Sequence, residues 1–272
     1  MLVTQIGDLD VSYCYTGSAP RLVFVHGLGQ GKESWAYQLE HLTDISSLAY
    51  DVRGHGGTSI GAADGTLAQL ATDLLEFVRT VTGPVIVAGF SLGGVIALKA
   101  VIERPDLIRG AILLGTSSVV GTAAASFYVQ RIRDARDTSS MSFRNAVRED
   151  ISGGLAQQSG IDESVFDEHI DARLAAIGDG SGFRNAAAAM VGMHNSPLQP
   201  RVSEIGVPIH VIAAADDALC PVKASRMIVD ALPDARYHVI ANAGHLMNVE
   251  RPAAVTDTIG QALRDITERL AA

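Results

Sequence analysis

Six short segments of the chain are apolar almost without interruption: Arg21-Leu-Val-Phe-Val-His26, Ser47-Leu-Ala-Tyr-Asp51, Val85-Ile-Val-Ala-Gly89, Ala111-Ile-Leu-Leu-Gly115, Ile209-His-Val-Ile-Ala213 and Tyr237-His-Val-Ile-Ala241. Runs of this length, stopped by glycine, aspartate or another small residue, have the form of strands buried on both faces. Such strands fit a mostly parallel sheet, whose crossover helices cover both sides. Helical spacing appears between them, over Trp35 to Leu42, at Leu67, Leu70, Leu74 and Val78 behind a capping box opened by Thr66, and over Leu92 to Ile102, Val222 to Leu232 and Ala254 to Leu270. Leu9 to Tyr15 alternates apolar and polar residues, as an edge or half-exposed strand does. Strand and helix alternate as βαβ units require, so the fold class is α/β, a twisted sheet with helices on both faces.

One stretch breaks the rhythm. From residue 117 to 202 the strand signal disappears, and helix-like segments such as Phe127 to Asp137 and Glu163 to Ile177 lie between Ser-Gly and Gly-Asp-Gly breaks. Eighty-odd residues are too many for a plain loop in a compact domain. The expected organisation is a core of residues 1–116 and 203–272, with 117–202 inserted as a helical cap; a pair of surface helices that merely extends the core is the plainer alternative.

Composition narrows the function. The 272 residues carry a formal charge of -9, so the net field repels a phosphate backbone and nucleic acid is not an expected partner. Two distant cysteines, Cys14 and Cys220, do not make a disulfide scaffold. The first residues lack the basic start and apolar block of a signal peptide, and the most apolar stretch, Pro84 to Leu98, is too short to span a bilayer. A soluble, cytoplasmic protein with no membrane partner is expected; a homo-oligomer stays open. There is no Walker loop, no His-Glu-x-x-His pair and no dinucleotide-binding glycine fingerprint, so neither cofactor nor metal is expected.

The chemistry concentrates at Gly89-Phe-Ser91-Leu-Gly93, a G-x-S-x-G segment set between a buried strand and a helix. A turn this tight pushes Ser91 Oγ out at the carboxyl edge of the sheet, where open α/β folds bind ligands. A serine hydroxyl needs a base, and the base an orienting acid. His245 follows the last strand run and lies at the same edge. His210 and His238 fall inside strands, His41 late in a helix, and His55 in a glycine-rich turn. Asp217, four residues before Pro221, is the preferred acid, with neighbouring Asp216 as the alternative. An oxyanion formed at Ser91 needs aimed N–H donors, assigned to the amide of Leu92 at the helix start and to that of Leu28 in His26-Gly-Leu-Gly29. The order Ser91, Asp217, His245 is that of the α/β-hydrolase type.

These segments, with Tyr50-Asp-Val-Arg-Gly-His-Gly-Gly-Thr-Ser59, Asp217-Ala-Leu-Cys-Pro221 and Gly244-His-Leu-Met-Asn-Val-Glu-Arg-Pro252, resemble the α/β-hydrolase superfamily over nearly the whole chain. Within it the sequence is most similar to the branch of 3-oxoadipate enol-lactonases and small carboxylesterases. The resemblance implies a serine hydrolase acting on a small ester or lactone through an acyl-enzyme. Ser91 departs from the aspartate nucleophile of haloalkane dehalogenases and epoxide hydrolases. Phe90 and Leu246 stand where carbon–carbon hydrolases usually carry asparagine and tryptophan, and Leu28 and Gly54-His-Gly depart from cofactor-free haloperoxidases. A carbon–carbon hydrolase, another triad-using enzyme of this fold, such as a lyase or acyltransferase, or a slow-turnover ligand receptor remain as alternatives. Among the cap cations Arg131, Arg133, Arg144, Arg148, Arg184 and His194, one facing the cleft would clamp a substrate carboxylate; pairing with nearby acids on solvent-facing surfaces is the simpler expectation.

Overall fold

The structure, a computed structural model, describes residues 2–19 and 21–272. In chain order the elements are β1 (Leu2–Ile6), β2 (Leu9–Thr16), β3 (Leu22–Val25), α1 (Ala36–His41), β4 (Ser47–Tyr50), α2 (Leu67–Phe77), β5 (Val85–Phe90), α3 (Leu92–Glu103), β6 (Ile108–Leu114), α4 (Thr122–Asp134), α5 (Met141–Gly154), α6 (Glu163–Ile177), α7 (Ser181–Asn195), β7 (Ile209–Ala214), α8 (Val222–Ala231), β8 (Arg236–Ile240), α9 (Met247–Glu250) and α10 (Pro252–Ala271).

The strands form one sheet in the order β1-β2-β4-β3-β5-β6-β7-β8. β1 pairs antiparallel with β2 and β2 with β4; every pairing from β4 to β8 is parallel. Strands β3, β5 and β7 are buried at every position, as their unbroken apolar sequence requires. From β3 the chain moves outward to β4 and then returns to β5 on the other side of β3. The carboxyl ends of β3 and β5 therefore flank the point where strand order reverses, the place where open α/β sheets form a ligand crevice.

Three elements depart from the sequence pattern. The run Tyr237-His-Val-Ile-Ala241, expected to be buried on both faces, forms edge strand β8 and is exposed or half-buried except at Ile240, because among the described residues no strand pairs with its outer side. Residues Leu2–Ile6 form a strand that the sequence reading left unassigned: exposed for most of its length, it is held by hairpin pairing to β2 rather than by burial. The first cap helix runs over Thr122–Asp134, starting five residues before Phe127 and ending before Asp137, because Gly121 supplies the extended N-cap.

Between β6 and β7 the chain carries four helices, α4 to α7. They are locked to the core by backbone. A Cβ at Gly54 would come within 2.5 Å of Gly182 Cα, at the start of α7, and Gly56 N–H donates to the Ala176 carbonyl in α6 at 2.9 Å. Among the described residues no helix is long and apolar enough to cross a membrane.

Candidate active site

Ser91 links β5 to α3 with φ 51° and ψ -115°, a left-handed conformation that costs a non-glycine residue on the order of 1–3 kcal/mol. The glycines around it make that turn possible. A Cβ at Gly89 would strike the Gly93 carbonyl, one at Gly93 would strike the Val25 carbonyl at the end of β3, and one at Gly94 would lie 2.6 Å from Thr116 Cβ. The strained residue is fixed on both sides: Ser91 N–H donates to Leu114 O at 2.9 Å, and Thr116 Oγ1 donates to Ser91 O at 2.8 Å.

Three side chains from three separate segments meet at this turn. His245 Nε2 lies 3.1 Å from Ser91 Oγ, and its Nδ1 lies 2.8 Å from Asp217 Oδ2. The second oxygen of Asp217 accepts from the amides of Leu219 at 2.9 Å and Cys220 at 2.7 Å, which fixes the carboxylate and leaves one oxygen for the imidazole. His245 Nδ1 therefore carries a proton and Nε2 presents its lone pair to the serine. Asp216 is exposed, and its amide bonds to Ala243 O instead. The Phe90 ring packs 4.9 Å from the imidazole, centroid to centroid.

The amide of Leu92 opens α3, and among the described residues it has no hydrogen-bond partner; nor has the amide of Leu28, in the loop after β3. That loop is stapled from below by two buried neutral histidines. His26 Nε2 accepts from Val52 N–H at 2.9 Å while its Nδ1–H donates to Gly27 O at 2.8 Å; His55 Nε2 accepts from Gly29 N–H at 3.3 Å and its Nδ1–H donates to Arg53 O at 3.2 Å. Burial depresses both, and pushes His55 down to about 3. Lys32 and Asp51 form a buried ion pair at 2.8 Å beside it, and Gln30 Oε1 accepts from Gly27 N–H.

Ser91 and His245 open on a cavity of about 790 Å³ whose walls include Leu28, Phe127, Tyr128, Met190 and Leu219. It is mainly apolar, with Asp150 and Arg173 among its few charged groups. Burial raises the pKa of Cys220, at its edge, so the thiol stays protonated.

The cap cations singled out in the sequence are turned elsewhere. Arg131 forks onto Asp150 and also meets Asp134, Arg144 pairs with Asp171, and Arg148 with Asp167. Arg184 donates to Ala135 O, His194 bonds Val120 O, and Arg133 is exposed. Arg173 in α6, which the sequence reading passed over, is the cap arginine that lines the cavity. Its guanidinium donates to Leu28 O at 3.0 Å, and no carboxylate among the described residues lies within ion-pair distance. Burial lowers its pKa, partly offset by nearby Asp150. Helical spacing placed α6 correctly but could not say which of its side chains faces inward.

A strand-to-helix turn bearing a strained serine, a histidine and an aspartate from later loops, and a helical roof together define a hydrolase architecture. Residues 22–258 match the alpha/beta hydrolase family, and the chain belongs to it. It is 24% identical over 262 residues to a 3-oxoadipate enol-lactonase of Acinetobacter baylyi, covering 94% of each chain. Among solved structures, an enol-lactonase from Burkholderia xenovorans superposes with a TM-score of 0.86 at 24% identity, covering 97% of this chain and 100% of that one. An esterase from Thermogutta terrifontis, solved with malate bound, gives a TM-score of 0.84 at 23% identity, covering 98% and 99%.

Proposed function

We propose that the protein is a serine hydrolase that cleaves a small carboxylic ester or lactone through an acyl-enzyme. The observation that carries this reading is the continuous hydrogen-bonded line from Asp217 through His245 to Ser91, at the mouth of a mainly apolar cavity. His245 Nε2 takes the Ser91 proton as Oγ attacks the acyl carbon, and the imidazolium is stabilised by Asp217. The carbonyl π electrons move onto oxygen, and the unpartnered amides of Leu28 and Leu92 are assigned as its donors; one such donor is worth on the order of 3 kcal/mol in the transition state. Collapse of the intermediate expels the alcohol or enol, which takes the proton from His245. In the second half, water loses a proton to the same nitrogen, attacks the acyl carbon and releases the acid, restoring Ser91.

The names of the relatives, enol-lactonase and esterase, agree with this chemistry. The cavity suits a small, largely apolar substrate. Arg173 is the group in it best suited to an anionic end, which fits a carboxylated acyl chain. A panel of p-nitrophenyl esters, lactones and enol-lactones, assayed on the wild type and on Ser91→Ala, tests the reading. Turnover that disappears with the serine is expected; a complete absence of serine-dependent turnover would falsify it.

A further inference from the structure

Glu250 closes the short helix α9, five residues after His245, and its side chain is buried at 6% exposure. Among the described residues no lysine or arginine side chain pairs with its carboxylate. Both oxygens are taken by backbone amides: Oε2 accepts from Gly244 N–H at 2.7 Å and Oε1 from Ala156 N–H at 2.9 Å. Gly244 immediately precedes His245 in the chain, whereas Ala156 lies just past α5 in the cap. A buried carboxylate is costly to desolvate, and here that cost is offset by satisfying two buried N–H groups, each of which would cost about 1–3 kcal/mol if left unpaired. The two amides it joins belong to different parts of the fold, so the same bonds that stabilise the junction also fix where the loop bearing His245 lies.

The junction that it closes has no slack. A Cβ at Gly244 would come within 2.5 Å of Ala156 N and Gly154 O and 2.6 Å of Leu155 C, so the backbone before His245 lies directly against the cap chain. On the other side of the histidine, Leu246 N–H donates to Gly154 O at 3.2 Å. The imidazole is thus hung from a loop pinned to the cap both before and after it, and the first pin passes through Glu250.

We infer that Glu250 is a positioning residue for catalysis: its carboxylate ties the loop bearing His245 to cap residue Ala156 and so holds the imidazole over Ser91. The inference rests on the hydrolase reading above for its effect on turnover, but its geometry can be tested without turnover. Glu250→Gln keeps the volume and removes the charge. An amide has one oxygen, so it can satisfy one of the two N–H groups and must turn its NH2 toward the other. The loop then loses one anchor, and a misplacement near 1 Å of a reacting group costs about 100-fold in rate.

The test measures kcat and KM for a serine-dependent p-nitrophenyl ester, thermal stability, and the low-field proton resonance of His245 Nδ1, which donates to Asp217. In Glu250→Gln, kcat is expected to fall about 10- to 100-fold with KM within about twofold, and the low-field signal to broaden or move. Glu250→Asp, which keeps the charge but is one methylene short, is expected to recover part of kcat. A variant whose melting point falls while kcat stays within twofold, or whose KM rises with kcat unchanged, would make Glu250 a structural pin or a cap-shaping residue and overturn the proposal. If the wild type shows no serine-dependent turnover, the hydrolase reading falls instead; the resonance then decides, and an unchanged signal in Glu250→Gln overturns the positioning role. Should Glu250→Gln not fold, Glu250→Asp is judged by the same two criteria.

Discussion

Replacing Asp217 by asparagine should cost more than the loss of one charge suggests, because the surroundings dictate which way the amide faces. One carboxylate oxygen accepts from Leu219 and Cys220, and the other accepts the proton of His245 Nδ1. If the asparagine oxygen stays with the two amides, its NH2 points at Nδ1 and the ring must present a lone pair there. The imidazole proton then moves to Nε2, against Ser91 Oγ, and the base form is lost. The reverse orientation sets two backbone N–H groups against an NH2, at about 1–3 kcal/mol each, whereas the first leaves none opposed once the tautomer has switched. The first orientation therefore wins. A histidine held in the wrong tautomer lowers kcat by about four orders of magnitude, or roughly 5 kcal/mol of transition-state stabilisation. Asp216→Asn is the control, since that side chain is exposed; its kcat should stay within about twofold, as ordinary surface substitutions do. Initial rates on a p-nitrophenyl ester measure both, with intact-mass analysis to show that the asparagine has not deamidated. Asp217→Asn retaining more than a few per cent of wild-type kcat, or Asp216→Asn proving equally damaging, would refute the assignment of the acid.

Two further outcomes follow from other parts of the site. His55 is buried and neutral with its pKa pushed down to about 3, below its unfolded value near 6.5. The unfolded state takes up the proton first, so the stability this group contributes is full above about pH 6.5 and is lost as pH falls toward 3, by about 2 kcal/mol at pH 5. Urea unfolding at pH 7 and pH 5 should show His55→Gln losing about that much less than the wild type; identical acid sensitivity would contradict a neutral, buried His55. Arg173→Met should lower kcat/KM about 10- to 100-fold more for esters whose acyl chain ends in a carboxylate than for neutral esters of equal length, the range expected of one charged hydrogen bond. Equal losses on both would show that Arg173 only supports the Leu28 loop.

What could be read from the chain and what could not divide along the range of the interactions involved. β5, the Ser91 turn and α3 were legible because strand, turn and helix are contiguous and each glycine's role is local. Asp217 and His245 could be chosen because a parallel sheet delivers every strand end to the same edge. The strand Leu2–Ile6 went unread because its stability comes from pairing with Leu9–Thr16 and not from an apolar pattern of its own. In the cap, α5 and α7 were not singled out. The buried stripe of α5, at Phe143, Val147 and Ile151 behind the Ser140 cap, was in fact present in the sequence. By contrast, α7 is buried on several sides and carries four consecutive alanines, which blurs any helical period. Arg173 and Glu250 depend on how the cap packs on the core, through partners more than 90 residues away in sequence, and no local spacing encodes that.

The proposed chemistry requires Ser91 to become covalently acylated with His245 as its base. The most direct measurement is rapid-quench mass spectrometry during turnover of a p-nitrophenyl ester, followed by peptide mapping. The acyl mass should appear on the peptide holding Ser91 at early times, reach near one equivalent if deacylation is slow, and be absent from His245→Ala. Sustained turnover with no adduct at Ser91, or an adduct that forms as fast without His245, would exclude a serine acyl-enzyme formed with His245 as base.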